Sequence, residues 1–167
     1  MKLFLYDLDN TLHSPFECDE TEDEDKYYAS FKKKKFLKHL MKKTKPQQYI
    51  FTNGNYSHAD LVLKKLGLHG LFPKEKIVSS DMFEYRYKPY PESYKKAIER
   101  FNISDDDEVY FFEDTLENLE AAKKLKWKTI LVGDNSKTNE DYVDWKFRNI
   151  EEALLFFKIK EKFGKKY

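Results

Sequence analysis

Leu3-Phe4-Leu5-Tyr6-Asp7-Leu8-Asp9-Asn10-Thr11-Leu12 decides how this chain is read. Four apolar residues run without alternation and stop at acids and amides that favour turns, the pattern of a strand buried on both faces. Tyr49-Ile50-Phe51, Lys76-Ile77-Val78, Val109-Tyr110-Phe111-Phe112 and Thr129-Ile130-Leu131-Val132 repeat it. Between these runs the apolar residues follow helical spacing. Ala59, Val62, Leu63 and Leu66 precede a stop at Gly67, and Tyr94, Ala97, Ile98 and Phe101 follow a first-turn proline, Pro91. Leu119, Ala122 and Leu125 line a further helix, and Ile150, Ala153, Leu154 and Phe157 a closing one. Buried strands alternating with amphipathic helices predict a doubly wound α/β fold: a parallel sheet of about five strands with helices on both faces.

Size and charge narrow the function classes. A length of 167 residues fits one domain, over residues 1–167, large enough to bury a core. Leu, Ile, Val and Phe supply 43 residues, enough to exclude disorder despite a charged fraction of 37%. With 31 basic and 30 acidic residues, no bulk nucleic-acid binding is expected. The single cysteine, Cys18, cannot form an internal disulfide or a cysteine zinc site, and its acidic neighbours argue against a reactive thiolate. No apolar run reaches the 18 or more residues of a membrane span, and the N-terminal apolar run is too short for a signal peptide. The expectation is a soluble protein of a reducing compartment, the cytoplasm, with no membrane partner.

One stretch breaks the alternation, since about forty residues separate the first two strands. Glu17 to Asp25 holds seven acids in nine positions, and Lys32 to Lys45 holds eight lysines. Phe36, Leu37, Leu40 and Met41 give the lysine-rich part an apolar face, so it reads as the crossover helix with a solvated side. The acidic part reads as a flexible excursion, because like charges repel and stay hydrated.

The chemistry lies where the strands end. In open α/β sheets ligands bind at the carboxyl edge, near the switch in strand order. The first strand runs into Asp7 and Asp9, the second into Thr52-Asn53-Gly54-Asn55, the third into a loop carrying Lys88-Pro89, and the fourth into Glu113-Asp114. Asp7, Asp9 and Asp114 together would repel one another unless a cation sat among them. Oxygen donors without His or Cys favour Mg²⁺. Thr52, Lys88 and the turn amides after Thr52 are donors suited to phosphate oxygens. The combination predicts a phosphoryl-transfer site with an Asp able to act as nucleophile.

Asp7-Leu8-Asp9-Asn10-Thr11-Leu12 resembles the first motif of the haloacid dehalogenase (HAD) superfamily, the DxDxT phosphatases with a Rossmann-like fold. Thr52, Lys88 and Glu113-Asp114 stand where its second, third and fourth motifs belong, and the ordered set covers residues 1 to 157. Thr52-Asn53, His58, Lys88-Pro89 and Phe111 to Asn118 resemble the pyrimidine 5′-nucleotidase-like branch. The resemblance implies Asp7 as nucleophile and Asp9 as the acid that protonates the leaving alcohol and then activates water. It implies Mg²⁺ held by Asp7, the Asp9 carbonyl and Asp114, and phosphate bound by Thr52, the Asn53 amide and Lys88. Glu113 takes an outer, supporting role.

Other residues carry competing readings. Asn118 either supports the site or stands exposed on a helix. His13 fits a surface turn as well as a substrate contact, and His58 reads as a helix-start residue ahead of a substrate contact. His39 and His69 read as surface residues. Residues 14–27 form a short acidic insertion where nucleotidase-like relatives carry a helical cap, which implies a minimal cap and an open site. The expected activity is a Mg²⁺-dependent phosphomonoesterase for a small phosphorylated substrate, with a nucleoside monophosphate as one candidate. A larger substrate, namely a phosphorylated polynucleotide end, protein or sugar, is an alternative, as is a phosphoacceptor domain without turnover. Asp9 argues for turnover. An open site is compatible with a homo-oligomer that lends its lid.

Overall fold

In β1 (Lys2–Tyr6), successive side chains point to opposite faces, so Phe4 and Tyr6 enter one core and Leu3 and Leu5 another. The computed structural model describes residues 1–14, 23–133 and 139–164, and Cys18 lies outside them. β1 is central in a six-stranded sheet of order β3-β2-β1-β4-β5-β6, every neighbouring pair parallel. The other strands are β2 (Gln47–Phe51), β3 (Ile77–Val78), β4 (Glu108–Glu113), β5 (Lys128–Val132) and β6 (Trp145–Phe147).

Helices cover both faces. One core joins Phe4, Tyr6, Ile50, Tyr110 and Phe112 to α2 (Lys35–Lys43), α3 (Tyr56–Leu66) and α6 (Ile150–Phe163). The other joins Leu3, Leu5, Phe51, Val109 and Phe111 to α4 (Pro91–Phe101) and α5 (Leu116–Lys124). The fold is the expected doubly wound α/β sheet. Chain order turns outward from β1 in one direction through β2 and β3, and from β4 in the other through β5 and β6. The β1–β4 boundary is therefore the switch point, where strand ends splay and leave a crevice. Gly67 ends α3 at φ 76°, a left-handed position open to glycine at no steric cost, as its place in the sequence suggested.

Four local features differ from the sequence reading. The acidic insertion leads into a helix, α1 (Glu24–Ser30), capped by the Asp23 carboxylate on the Lys26 amide. Seven residues with no fully buried side chain leave no periodic signal. β6 is a three-residue edge strand, too short for a pattern, fastened where the Asp144 carboxylate accepts from the Thr129 amide at 2.9 Å. Phe36 is 56% exposed, one position off the buried stripe of Leu37, Leu40 and Met41. Leu125 is the C-terminal cap residue of α5 and is exposed, because its position lies past the last helical turn. Among the described residues no helix is long and apolar enough to cross a membrane.

Packing makes one contrast testable. Phe112 is fully buried, with ring centroids 5.1 Å from Phe4, 5.0 Å from Tyr6 and 5.8 Å from Phe157. Phe112→Ala should cost about 3–5 kcal/mol in urea unfolding. Phe36→Ala, on an exposed helix position, should stay within about 0.5 kcal/mol of the parent chain.

Candidate active site

Lys88 is the residue around which the carboxyl edge is organised. Its loop, after β3, brings the side chain inward until the ammonium is buried. There Nζ donates to Asp7 Oδ1, to Glu113 Oε2 and to the carbonyl of Phe51, each at 2.8 Å. Three donors meet three acceptors from the ends of β1, β4 and β2, so the ammonium is satisfied without water. Burial pulls the pKa of Lys88 down, yet the charges of Asp7 and Glu113 outweigh it and leave it raised. The loop is held by a reciprocal pair: Asn53 Nδ2 donates to the Lys88 carbonyl at 3.0 Å, and the Lys88 amide donates to Asn53 Oδ1 at 2.9 Å.

Asp7 follows β1 directly, its amide extending the ladder to the Phe112 carbonyl at 2.9 Å. Thr11 Oγ1 donates to Asp7 Oδ2 at 3.2 Å, so the threonine four residues on steadies the first aspartate of the run. Glu113 is fully occupied. Oε1 accepts from the Asp114 and Thr115 amides at 2.9 and 3.0 Å, and Oε2 accepts from Lys88 and from Asn118 Nδ2 at 3.0 Å. Asn118 is buried, on the site-supporting side of its two readings.

Asp7, Glu113 and Asp114 each offer an oxygen, all within 4.8 Å of one another. Lys88 alone does not balance this crowding. Burial and then the Glu113 charge push Asp7 up to about 7. Burial, followed by the Glu113 hydrogen bond and charge, pushes Asp114 up to about 8. Glu113 is lowered instead, because the Lys88 charge and the amide donors overcome its burial. Carboxylates that give up charge in this way are suited to a hard divalent cation that takes the place of their protons. Each Glu113 oxygen accepts two hydrogen bonds, while each Asp7 oxygen accepts one, from Lys88 and from Thr11.

Asp9 has a different neighbourhood, and here the sequence reading missed two residues. His58 Nε2 lies 2.8 Å from Oδ1 and 3.0 Å from Oδ2, and His13 Nε2 lies 3.4 Å from Oδ1. Burial pushes Asp9 up, but hydrogen bonds from His13 and His58 together hold it well below the usual carboxylate range. His58 is raised in turn, chiefly by its bond to Asp9. His58 does sit in the first turn of α3, where its amide donates to the Asn55 cap at 2.8 Å, but its ring turns back over the site. His13 is buried, its ring edge-on to Phe31 at 4.7 Å, and so is not a surface residue. The available signal was its place four residues after Asp9. Thr52, buried at the end of β2, accepts from the Gly54 amide at 3.0 Å, while Asn53 is exposed beside it.

A family model described as haloacid dehalogenase-like hydrolase matches residues 16–126, which include Thr52, Lys88, Glu113 and Asp114. A HAD phosphatase from Thermococcus onnurineus has a similar fold, with a TM-score of 0.69 at 17% identity over 98% of each chain. A haloacid dehalogenase-like protein of unknown function from Agrobacterium tumefaciens has a TM-score of 0.60 at 19% identity. The match covers 76% of this chain and 60% of that one. An L-2-haloacid dehalogenase from Xanthobacter autotrophicus has a TM-score of 0.60 at 16% identity, over 73% of this chain and 58% of that one. The chain thus spans less than two thirds of the last two proteins.

Carboxyls raised on folding stabilise the fold while protonated and lose that contribution as pH rises through their folded values. Asp7 and Asp114 do so towards about 7 and about 8, and the raised His58 acts in the same direction. Asp9 and Glu113, both lowered, change only in the acid range below their ordinary values of 3.8 and 4.5. In chelator-treated protein the thermal midpoint should therefore fall steadily from about pH 5 to about pH 8.5. A flat or rising profile would contradict this charge assignment.

Proposed function

Because this chain belongs to the haloacid dehalogenase-like hydrolases, we propose that it is a Mg²⁺-dependent phosphomonoesterase that works through an aspartyl-phosphate on Asp7. One juxtaposition carries this reading: a buried Asp7 clasped by Lys88, with a second acid, Asp9, near enough for its charge to act on Asp7. Asp7 attacks phosphorus as the bond to the leaving oxygen breaks, and Asp9, which takes up a proton from solvent as the phosphate arrives, gives that proton to the leaving oxygen. Asp9 then takes a proton from water, whose oxygen attacks phosphorus and releases Asp7 with inorganic phosphate. The resting hydrogen bonds of Asp9 favour its ionised form, and the negative charge of an arriving phosphate works against them. Lys88 bridges Asp7 and phosphate, and Thr52 with the Asn53 amide holds the phosphate oxygens. Glu113 and Asn118 keep Lys88 in place.

The clustered carboxylate oxygens and the raised Asp7 and Asp114 fit Mg²⁺; Asp7 and Asp114, with the Asp9 backbone carbonyl that the family resemblance implies, would hold it. Bound there, it would offset the negative charge of phosphate and carboxylate together. A dehalogenase is a weaker reading. Halide departs without a proton, so Asp9 would have no task, and a cluster of acids would repel a haloacid's own carboxylate.

The substrate class follows from the motif resemblance and from the size of α1. Thr52-Asn53, His58, Lys88-Pro89 and the run from Phe111 to Asn118 favour a nucleoside monophosphate. The seven-residue α1 represents a reduced cap in this proposal, and the open site it leaves suits a larger phosphorylated substrate as well.

Phosphate release should be measured on nucleoside monophosphates, sugar phosphates, an aryl phosphate and end-phosphorylated oligonucleotides, with Mg²⁺ and with chelator. Mg²⁺-dependent release is expected, and Asp7→Asn should abolish it. Asp9→Asn should lower kcat by roughly 10²–10⁴ while leaving Mg²⁺ binding within a few-fold. Release that persists in Asp7→Asn would sink the mechanism, and equal loss of turnover and Mg²⁺ binding in Asp9→Asn would remove the acid/base role.

A further inference from the structure

The ring of His58 lies between Asp9, just after β1, and Tyr28, on α1. On one side Nε2 lies 2.8 and 3.0 Å from the two oxygens of Asp9. On the other, Nδ1 lies 2.7 Å from the hydroxyl of Tyr28, on α1. Nε2 faces two carboxylate oxygens and Nδ1 faces a hydroxyl, so a ring with its N–H at Nε2 satisfies both contacts, with Nε2–H as hydrogen-bond donor to the carboxylate. In the neutral ring Nδ1 then accepts from the Tyr28 hydroxyl. Tyr28 is fixed in its turn, its ring 5.2 Å from Tyr27 and 6.5 Å from the buried Phe31, which also packs on His13.

Gly54 supplies an independent observation. Its φ lies outside the left-handed region, so the backbone there does not itself demand glycine. A Cβ at this position would stand 2.7 Å from Cδ2 of the His58 ring and 3.6 Å from Oδ2 of Asp9. The missing side chain is the space into which the imidazole lies across the carboxylate.

Building on the phosphatase reading, we infer that His58 is the positioning residue for Asp9, oriented by Tyr28 and admitted by Gly54. One Nε2–H shared between the two carboxylate oxygens restrains the rotation of the Asp9 side chain, which is 35% exposed and would otherwise sample several rotamers. The gain is orientation of the acid/base group toward the leaving oxygen, with no part in holding phosphate. His13, at 3.4 Å and behind the carboxylate's first oxygen, is the lesser support. The helix that replaces a cap is thereby tied to the acid/base residue through one hydroxyl.

Two readouts separate this role from general loosening of the site. Protonation matters most for alkyl phosphates, whose alkoxide leaves poorly, and least for an aryl phosphate. His58→Ala should lower kcat on an alkyl phosphate about 10- to 100-fold and on an aryl phosphate no more than about 3-fold, with KM nearly unchanged. His58→Gln, which keeps an N–H donor near the position of Nε2, should recover part of the loss. Gly54→Ala should show the same alkyl-over-aryl bias. Equal losses on both substrates, or a change confined to KM, would overturn the inference. Wild type with no Mg²⁺-dependent release on any substrate would instead reject the phosphatase reading.

The geometry can be checked without turnover. In protein carrying ¹⁵N-histidine, the Nε2 resonance of His58, identified by its loss in His58→Gln, should move in Asp9→Ala. The Nδ1 resonance should move in Tyr28→Phe. Resonances unchanged in both variants would dismiss the relay whatever the activity assays give.

Discussion

A lysine ammonium sealed inside the carboxyl edge of the sheet sets the terms for everything around it. Lys88 has no water to turn to, so the strand ends must supply its acceptors, and they do so from Asp7, Glu113 and the Phe51 carbonyl. Those acceptors come from β1, β4 and β2, three adjacent strands. Removing any one would leave a buried donor or charge without a partner, which is far more costly than losing an exposed ion pair. The Asn53–Lys88 backbone pair has its purpose here, since it holds the loop that delivers the ammonium.

Two aspartates two residues apart end in opposite electrostatic states. Asp7 is buried against Glu113 and is raised; Asp9 is turned toward two imidazoles and is lowered. Environments that push paired carboxyls apart are how one site divides two chemical tasks between like groups. In the proposed reaction that division matches a nucleophile held by Lys88 and an acid/base group held by His58. The asymmetry comes from the chain's direction: Asp7 continues the β1 ladder and stays in the sheet, while Asp9 lies beyond it, in reach of α3 and of His13.

Much of this was legible in the sequence because it depends on local pattern. Unbroken apolar runs such as Val109 to Phe112 mark strands buried on both faces, and Gly67 marks a helix end. Parallel strands send their C-terminal ends to one edge, so Asp7, Thr52, Lys88 and Glu113-Asp114 could be placed together before any coordinates. What escaped notice was either short or dependent on a distant partner. α1 and β6 carry too few residues for a period to emerge, and β6 rests on the Asp144–Thr129 hydrogen bond rather than on its own composition. Phe36 fits a helical face by rough spacing, yet one position of a helix is a rotation of 100°, enough to carry it into solvent.

The sequence by itself determined the order of the elements other than α1 and β6, the parallel doubly wound sheet and the set of acids at its switch point. These follow from unbroken apolar runs, from the 3.6-residue helical period and from the one-way run of parallel strands. The tertiary structure alone decided which side chain faces which. Glu113 accepts from Lys88, Asn118 and two amides, while Asp7 accepts from Lys88 and Thr11. His58 and His13 close on Asp9 across 49 and four residues of chain. Such choices rest on distances of a few tenths of an ångström between segments remote in sequence, and no local pattern of residues encodes them.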